Sequence, residues 1–248
     1  MRVAISQPSY LPWLGYFDLI DQVDTFVALD TVQFEKQSWQ QRNRIKTPTG
    51  LQWLTVPVQF RGRLTQKIYE VEIRGAEFSR KHLRALELNY GRAPYLEYYF
   101  ENVTDILKSC SAGFRLVDLN LSLLAWFLNV LDIHTPVVRA SSLAQTGKRT
   151  ELLANICENL GATDYVSPMG SAGYLLPELS IFSQRGIGVS FHNYSHPEYR
   201  QLFSPFLPYA CVLDLIFNEG PRSKEIIRSG RGQAFSPEHL VATECKTI

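Results

Sequence analysis

Arg2-Val-Ala-Ile-Ser-Gln-Pro-Ser-Tyr-Leu-Pro-Trp-Leu-Gly-Tyr-Phe-Asp-Leu-Ile20, followed by Asp24-Thr-Phe-Val-Ala-Leu-Asp30, is the stretch that decides the fold. Val3-Ala-Ile5 is a short apolar run closed by Gln7-Pro8, which predicts a strand ending in a loop. From Pro12 to Ile20 the apolar residues recur at helical spacing, with Pro12 near the helix start. Thr25-Phe-Val-Ala-Leu29 predicts a second strand that stops at Asp30. Strand, loop, short helix, strand is the order in which a parallel Rossmann-type sheet begins.

Working outward, the same alternation returns late in the chain. Pro136-Val-Val-Arg-Ala140, Asp164-Tyr-Val-Ser167 and Ile187-Gly-Val-Ser-Phe191 predict three more strands. Thr150 to Leu160 reads as an amphipathic helix stopped by Gly161, and a helix running to Gln184 is broken or kinked at Pro177. Between the two halves lies a different segment. Trp53-Leu-Thr-Val-Pro-Val58 and Ile68-Tyr-Glu-Val-Glu-Ile73 alternate like an antiparallel pair, so an inserted hairpin over about 52–75 is expected, with the basic Phe60–Lys67 stretch as a mobile tip. Helices are expected over Phe78–Tyr90, from Pro94 toward Lys108, over Leu116–Leu131, over Tyr209–Asn218 and over Ser223–Arg228. The expectation is one α/β domain over residues 1–230, a Rossmann-like parallel sheet flanked by helices with an inserted hairpin and a helical C-terminal part. Residues 231–248 read as a tail.

Composition narrows the function. Lys and Arg number 25 against 24 Asp and Glu, so no global field draws the chain to nucleic acid or to an anionic membrane. The apolar Leu116–Val130 run is interrupted by Asp118, Asn120, Ser122 and Asn129 and falls short of a membrane span. The N-terminus lacks a basic region followed by a long apolar stretch, so no signal peptide is expected, and the location expected is cytoplasmic. Cys110, Cys157, Cys211 and Cys245 form no C-x-x-C pair and none stands at metal-ligand spacing from a histidine, so reduced thiols and no metal site are expected.

In open α/β sheets ligands bind beyond the carboxyl ends of the strands. The polar clusters expected there are Gln7 to Tyr10, Asp30 to Gln33, Ser141-Ser142, Ser167 to Gly173 with Gly170 inside it, and His192 to His196. The loop after the first strand has one glycine and matches neither G-x-G-x-x-G nor a P-loop. It distantly resembles the first motif of nucleotidyltransferases, whose two histidines would fall at Trp13 or Leu14 and at Tyr16. Gln33-Phe-Glu-Lys-Gln-Ser-Trp39-Gln-Gln-Arg42-Asn43-Arg44-Ile-Lys46 mixes cations, amides and a tryptophan, as a loop gripping a nucleotide diphosphate or a phosphopantetheine arm would. A solvated charged surface is the plainer reading of it. His192 and His196 are candidates for proton transfer. Cys211, early in its helix, is a candidate nucleophile, with Asp214 and Asn218 along the same face and His196 as base; a small buried core cysteine is the plainer alternative.

These same segments carry a resemblance. Gln7-Pro-Ser-Tyr10-Leu-Pro-Trp13-Leu-Gly-Tyr-Phe, Asp30-Thr-Val-Gln33-Phe, Trp39 with Arg42-Asn-Arg-Ile-Lys, Trp53-Leu-Thr-Val-Pro-Val, His196-Pro-Glu-Tyr199-Arg-Gln201 and Leu213-Asp-Leu-Ile-Phe-Asn218-Glu-Gly220 resemble the WbqC-like proteins over about residues 2–230. Cys211 stands where the pattern leads one to expect serine, and Ser167-Pro-Met-Gly departs from a Ser-Gly-rich version. The resemblance implies a place in bacterial surface-polysaccharide (O-antigen type) biosynthesis. It implies transfer of an acyl or aminoacyl group to the amine of a nucleotide-linked sugar. The partners implied are that sugar nucleotide and an acyl carrier protein, with the donor a carrier-protein or coenzyme A thioester and no tightly bound cofactor. A binding module for a carrier protein or sugar nucleotide and a nucleotidyltransferase-like enzyme are the alternatives.

Overall fold

The first strand, β1 (Arg2–Ser6), is apolar on both faces, as a central parallel strand must be. Helix α1 (Leu14–Asp21) returns the chain to β2 (Thr25–Ala28), which pairs parallel to β1 with Val3 opposite Thr25 and Ser6 opposite Ala28. The computed structural model describes residues 1–63, 65–110 and 113–244. An excursion then forms the hairpin β3 (Arg42–Thr47) and β4 (Gly50–Thr55) and the helices α2 (Glu77–Tyr90), α3 (Leu96–Ser109) and α4 (Leu116–Val130). The sheet resumes with β5 (Val137–Arg139), α5 (Arg149–Asn159), β6 (Asp164–Ser167), two one-turn helices α6 (Ala172–Leu175) and α7 (Ser180–Ser183), and β7 (Gly188–Phe191). Helices α8 (Val212–Glu219), α9 (Ser223–Ser229) and α10 (Pro237–Glu244) complete the order.

The five parallel strands lie in the order β5-β2-β1-β6-β7. Alternate residues feed two separate cores. Ala4, Phe26 and Ala28 face α1, α4 and α8, whereas Val3, Ile5, Val27 and Leu29 face α5 and α7. Phe17 of α1 and Phe127 of α4 meet edge to face with centroids 5.6 Å apart. Burial of each such ring stabilises the fold by roughly 1.5–3 kcal/mol. Trp13, which precedes α1, lies back over the helix, and a Cβ at Gly15 would stand 2.3 Å from its ring, so only glycine lets the indole rest there.

Three expectations are corrected. The hairpin is made of residues 42–47 and 50–55, its turn at Pro48-Thr49, whereas Val58 and Ile73 meet in a single bridge and Ile68–Glu70 is one 3-10 turn. Pro57 ends the ladder, because proline supplies no amide donor, and the bonding partners lie upstream in a segment whose Arg-Asn-Arg sequence hid a strand. The predicted tip, 60–67, includes Leu64, which lies outside the described residues. The C-terminal stretch is no loose tail up to residue 244: Arg231 and Phe235 bridge to Tyr194 and Phe191, and α10 tucks Leu240 onto the α5 side of the sheet. Cys245 lies outside the described residues. The break foreseen at Pro177 is there, as two 3-10 turns and two single helical turns rather than one kinked helix.

Candidate functional site

Strand order reverses between β1 and β6: from β1 the chain winds outward through β2 to β5, then returns to the other side of β1 for β6 and β7. A crevice opens at the carboxyl ends of strands at such a switch point. Here it is a cleft of about 680 Å³ bounded by Ser6 and Gln7 after β1, by Met169 to Ser171 after β6 and by His192 to Tyr194 after β7. Trp13 and Tyr16 supply the α1 wall, and Trp39, Gln40 and Arg44 supply the wall from the inserted hairpin.

At its base His192 meets a carboxylate. The His192 Nε2 lies 2.7 Å from Oδ2 of Asp18, which α1 holds fully buried. Asp18 also accepts from Gln22 Nε2 at 2.6 Å and from Arg231 Nε at 2.8 Å. Arg231 reaches on to Asp21, which Arg228 grips through two nitrogens at 2.8 and 2.9 Å. These two guanidinium groups hold the Asp21 carboxyl below its usual range although burial acts the other way. The buried charge of Asp18 is thus compensated and fully hydrogen-bonded, the condition under which an interior carboxylate is tolerated. With Nε2–H donated to Asp18, Nδ1 is the ring nitrogen left to accept a proton. Above it, Tyr194 stacks on His192 with centroids 5.8 Å apart and carries a buried hydroxyl without a protein partner.

The hairpin wall is cationic and aromatic. Trp39 and Trp53 remain 49% and 41% exposed with ring centroids 5.3 Å apart. Arg42 lies 4.2 Å over the Trp53 ring, and Arg44 lies 5.5 and 5.4 Å over Trp39 and Trp53. The pairing of Arg44 with Trp53 across the hairpin, and the two-residue spacing of Arg42 and Arg44, put these groups on one face.

Of the residues singled out from sequence, Gln7, Trp13, Trp39, Asn43, Arg44, Gly170 and His192 line the cleft. Gln7 accepts from Gln40 Nε2 at 2.8 Å. A Cβ at Gly170 would meet no protein atom, so the chain there borders open space. Asn43 spends its amide on the Tyr10 and Leu11 carbonyls and shapes the first loop. Ser167 is buried beneath the cleft and accepts, through its carbonyl, from the His192 amide.

The others gather elsewhere. Asp214 is the centre of a buried hub, accepting from Tyr90 at 2.8 Å, Tyr199 at 2.7 Å and Gln201 at 2.9 Å, and its backbone carbonyl takes the Asn218 amide at 2.7 Å. Lys46 is buried near it, and its charge opposes the upward push of burial on Asp214. Tyr10 is fully buried with its hydroxyl 2.8 Å from His82 Nδ1. Asp30 accepts from Arg139 at 3.0 Å and from the Ser141 amide and hydroxyl at 2.8 and 2.7 Å, tying β2 to the end of β5. Gln33 is exposed and bridges to Lys67.

Two candidates change character. Cys211 is fully buried and caps α8 from outside the cleft; burial and the nearby Asp214 push its thiol up to about 12, so the helix terminus does not make it a thiolate. His196 sits behind Trp13, stacked at 6.3 Å, among Tyr199, Phe206 and Tyr209; burial lowers its pKa, and Nδ1 lies 2.9 Å from the Pro197 carbonyl. No hydrogen bond joins Cys211 and His196 among the described residues, and His196 Nε2 has no protein partner. Sequence reading did not single out Asp18 or Arg231 and held Tyr194 and Glu35 only as parts of longer clusters; among the described residues Glu35 is the one carboxylate of the cleft lining. The signal for Asp18 was its place between Phe17 and Leu19-Ile20 in a helix with almost no polar face.

The family model for the WbqC-like protein family matches residues 7–226. The chain belongs to the WbqC-like protein family. A relative from Mycobacterium tuberculosis (strain ATCC 25618 / H37Rv), the uncharacterized protein Rv1507c, is 39% identical over 231 residues, which is 92% of this WbqC-like chain and 97% of the relative. The family match includes the hairpin wall and all of the cleft lining except Ile5, Ser6 and Phe235. No solved structure matches it. Among the described residues no helix is long and apolar enough to cross a membrane, and no group of three or more His, Cys, Asp or Glu could hold a metal ion.

Proposed function

We propose that this WbqC-like chain transfers an acyl or aminoacyl group from a thioester to the amine of a nucleotide-linked amino sugar in surface-polysaccharide biosynthesis. The observation that carries the reading is the buried Asp18–His192 pair at the base of a cleft whose other wall presents a free cationic and aromatic face. An attacking amine forms the new C–N bond with the acyl carbon, and collapse of the tetrahedral intermediate then breaks the C–S bond. The proton shed by the nitrogen goes to His192 Nδ1 and leaves with the thiolate as thiol. Asp18 orients the ring and stabilises the imidazolium that forms. Glu35 faces the same space and would attract the substrate ammonium before reaction. The backbone amides of Met169 and Gly170 would be the donors to the tetrahedral oxyanion, the Ser171 amide being engaged by the Pro168 carbonyl. The buried, protonated Cys211 favours direct attack by the amine over a covalent route.

The test is mass spectrometry of purified protein mixed with amino-sugar nucleotides and acyl- or aminoacyl-loaded carrier protein or coenzyme A. A sugar product heavier by one acyl group is expected. His192→Gln is expected to slow its formation about 10²–10⁴-fold, and Cys211→Ala to leave it in place. Product formed as fast by His192→Gln as by the wild type would sink the assignment of the base.

A further inference from the structure

The basic stretch of the hairpin divides in two. Asn43 and Lys46 turn inward, the first to the Tyr10 and Leu11 carbonyls and the second toward Asp214, whereas Arg42 and Arg44 stay on the outer face against Trp53 and Trp39. No acidic side chain pairs with either arginine among the described residues, although most of the other partly buried arginines, such as Arg139, Arg185 and Arg231, have carboxylate partners. The Nε–H of each is buried and finds no protein acceptor. A buried, charged donor left unpaired is costly, and stacking on indole leaves the guanidinium edge as the only place for an acceptor. Two forks two residues apart on one strand suit the adjacent anionic oxygens of a diphosphate.

We infer that Arg42 and Arg44, backed by Trp39 and Trp53, bind the diphosphate of a nucleotide, with its base against the exposed Trp39 face. Arg44 and Trp39 also line the cleft of about 680 Å³, which bounds the ligand to the size of a small molecule. A nucleotide sugar anchored on this wall would reach across the cleft toward His192. This rests on the nucleotide-linked part of the function proposed above and stands apart from the acyl transfer itself. The same chemistry occurs in the diphosphate of coenzyme A, so the probes must separate the two sources.

The experiment is equilibrium binding to the full chain, by calorimetry and tryptophan fluorescence, of inorganic pyrophosphate, UDP and coenzyme A. Pyrophosphate and UDP are expected to bind, both weakening as salt rises. Arg42→Gln and Arg44→Gln should each weaken both about tenfold. Trp39→Ala should weaken UDP about tenfold and pyrophosphate less, because the base loses its platform while Arg44 still rests on Trp53. Coenzyme A binding with the same dependence, in place of UDP, would keep the diphosphate site and assign it to the acyl donor. Should a glutamine variant melt early, Arg44→Lys keeps the charge without the fork and should still weaken binding. Failure of the wild type to bind any probe, or binding unmoved in a folded Arg42→Gln/Arg44→Gln variant, overturns the inference. Binding through the arginines with no acyl product from any donor would discard the transferase reading and leave this site standing.

Discussion

Acidification from about pH 7 to about pH 5 should remove about 2 kcal/mol of stability through one residue, His82. Burial pushes this imidazole down to about 4, a hydrogen bond with the Thr55 backbone opposing only part of the effect. Nδ1 lies 2.8 Å from the Tyr10 hydroxyl, so the neutral ring accepts there and pins the loop that carries Gln7 and Trp13 to α2. The sign follows from where the proton prefers to be. An unfolded histidine takes it up near pH 6.5, whereas the folded one resists until about 4. Between these values the unfolded chain binds more protons, and stability falls as pH falls. The whole displacement corresponds to about 3 kcal/mol, of which the interval down to about pH 5 takes the larger part. Urea unfolding followed by tryptophan fluorescence at a series of pH values measures it, with His82→Gln as control. The variant should be less stable at neutral pH and should lose about 2 kcal/mol less than the wild type on acidification. If both lose the same amount, the linkage is refuted.

Gly15→Ala drives a methyl group into the Trp13 ring and should cost about 1–3 kcal/mol, read by the urea midpoint, and alter ligand-induced tryptophan fluorescence. Asp214→Ala strands the Tyr90, Tyr199 and Gln201 donors in the core and should destabilise by about 3–5 kcal/mol; a midpoint unchanged within error would show that the hub contributes little. Cys211 should react with a thiol reagent at neutral pH only as fast as the protein unfolds, and a rapid native-state reaction would contradict its buried, protonated state.

The strands of the sheet were legible because each is a short apolar run bounded by a turn signal, and β6 is read to the residue, Asp164–Ser167. What escaped was set by contacts far apart in sequence. β3 is a strand of Arg-Asn-Arg-Ile-Lys-Thr, where no run of apolar residues announces it; pairing with β4 and the anchoring of Asn43 decide its conformation. The site was legible by position, since the ends of β1, β6 and β7 do surround the cleft, but not by partner. His192 and His196 stand in one motif and look alike in sequence. Only the fold shows that one meets Asp18, from α1, and the other a box of aromatic rings. Arg231, from a stretch that reads as a tail, had no signal other than its charge.

The position of β1 has a consequence for synthesis. It is a central strand, yet its neighbour on one side, β6, is encoded after the entire inserted excursion and β5. While the nascent chain emerges, β1 and β2 can pair, but the Arg2–Ala4 edge stays open until Asp164–Val166 leaves the ribosome. An apolar edge waiting that long is a template for pairing with another chain. The protein is therefore expected to depend on a chaperone that shields its first strand during translation, and slow codons placed ahead of residue 164 should lengthen the wait and raise the fraction lost to aggregates.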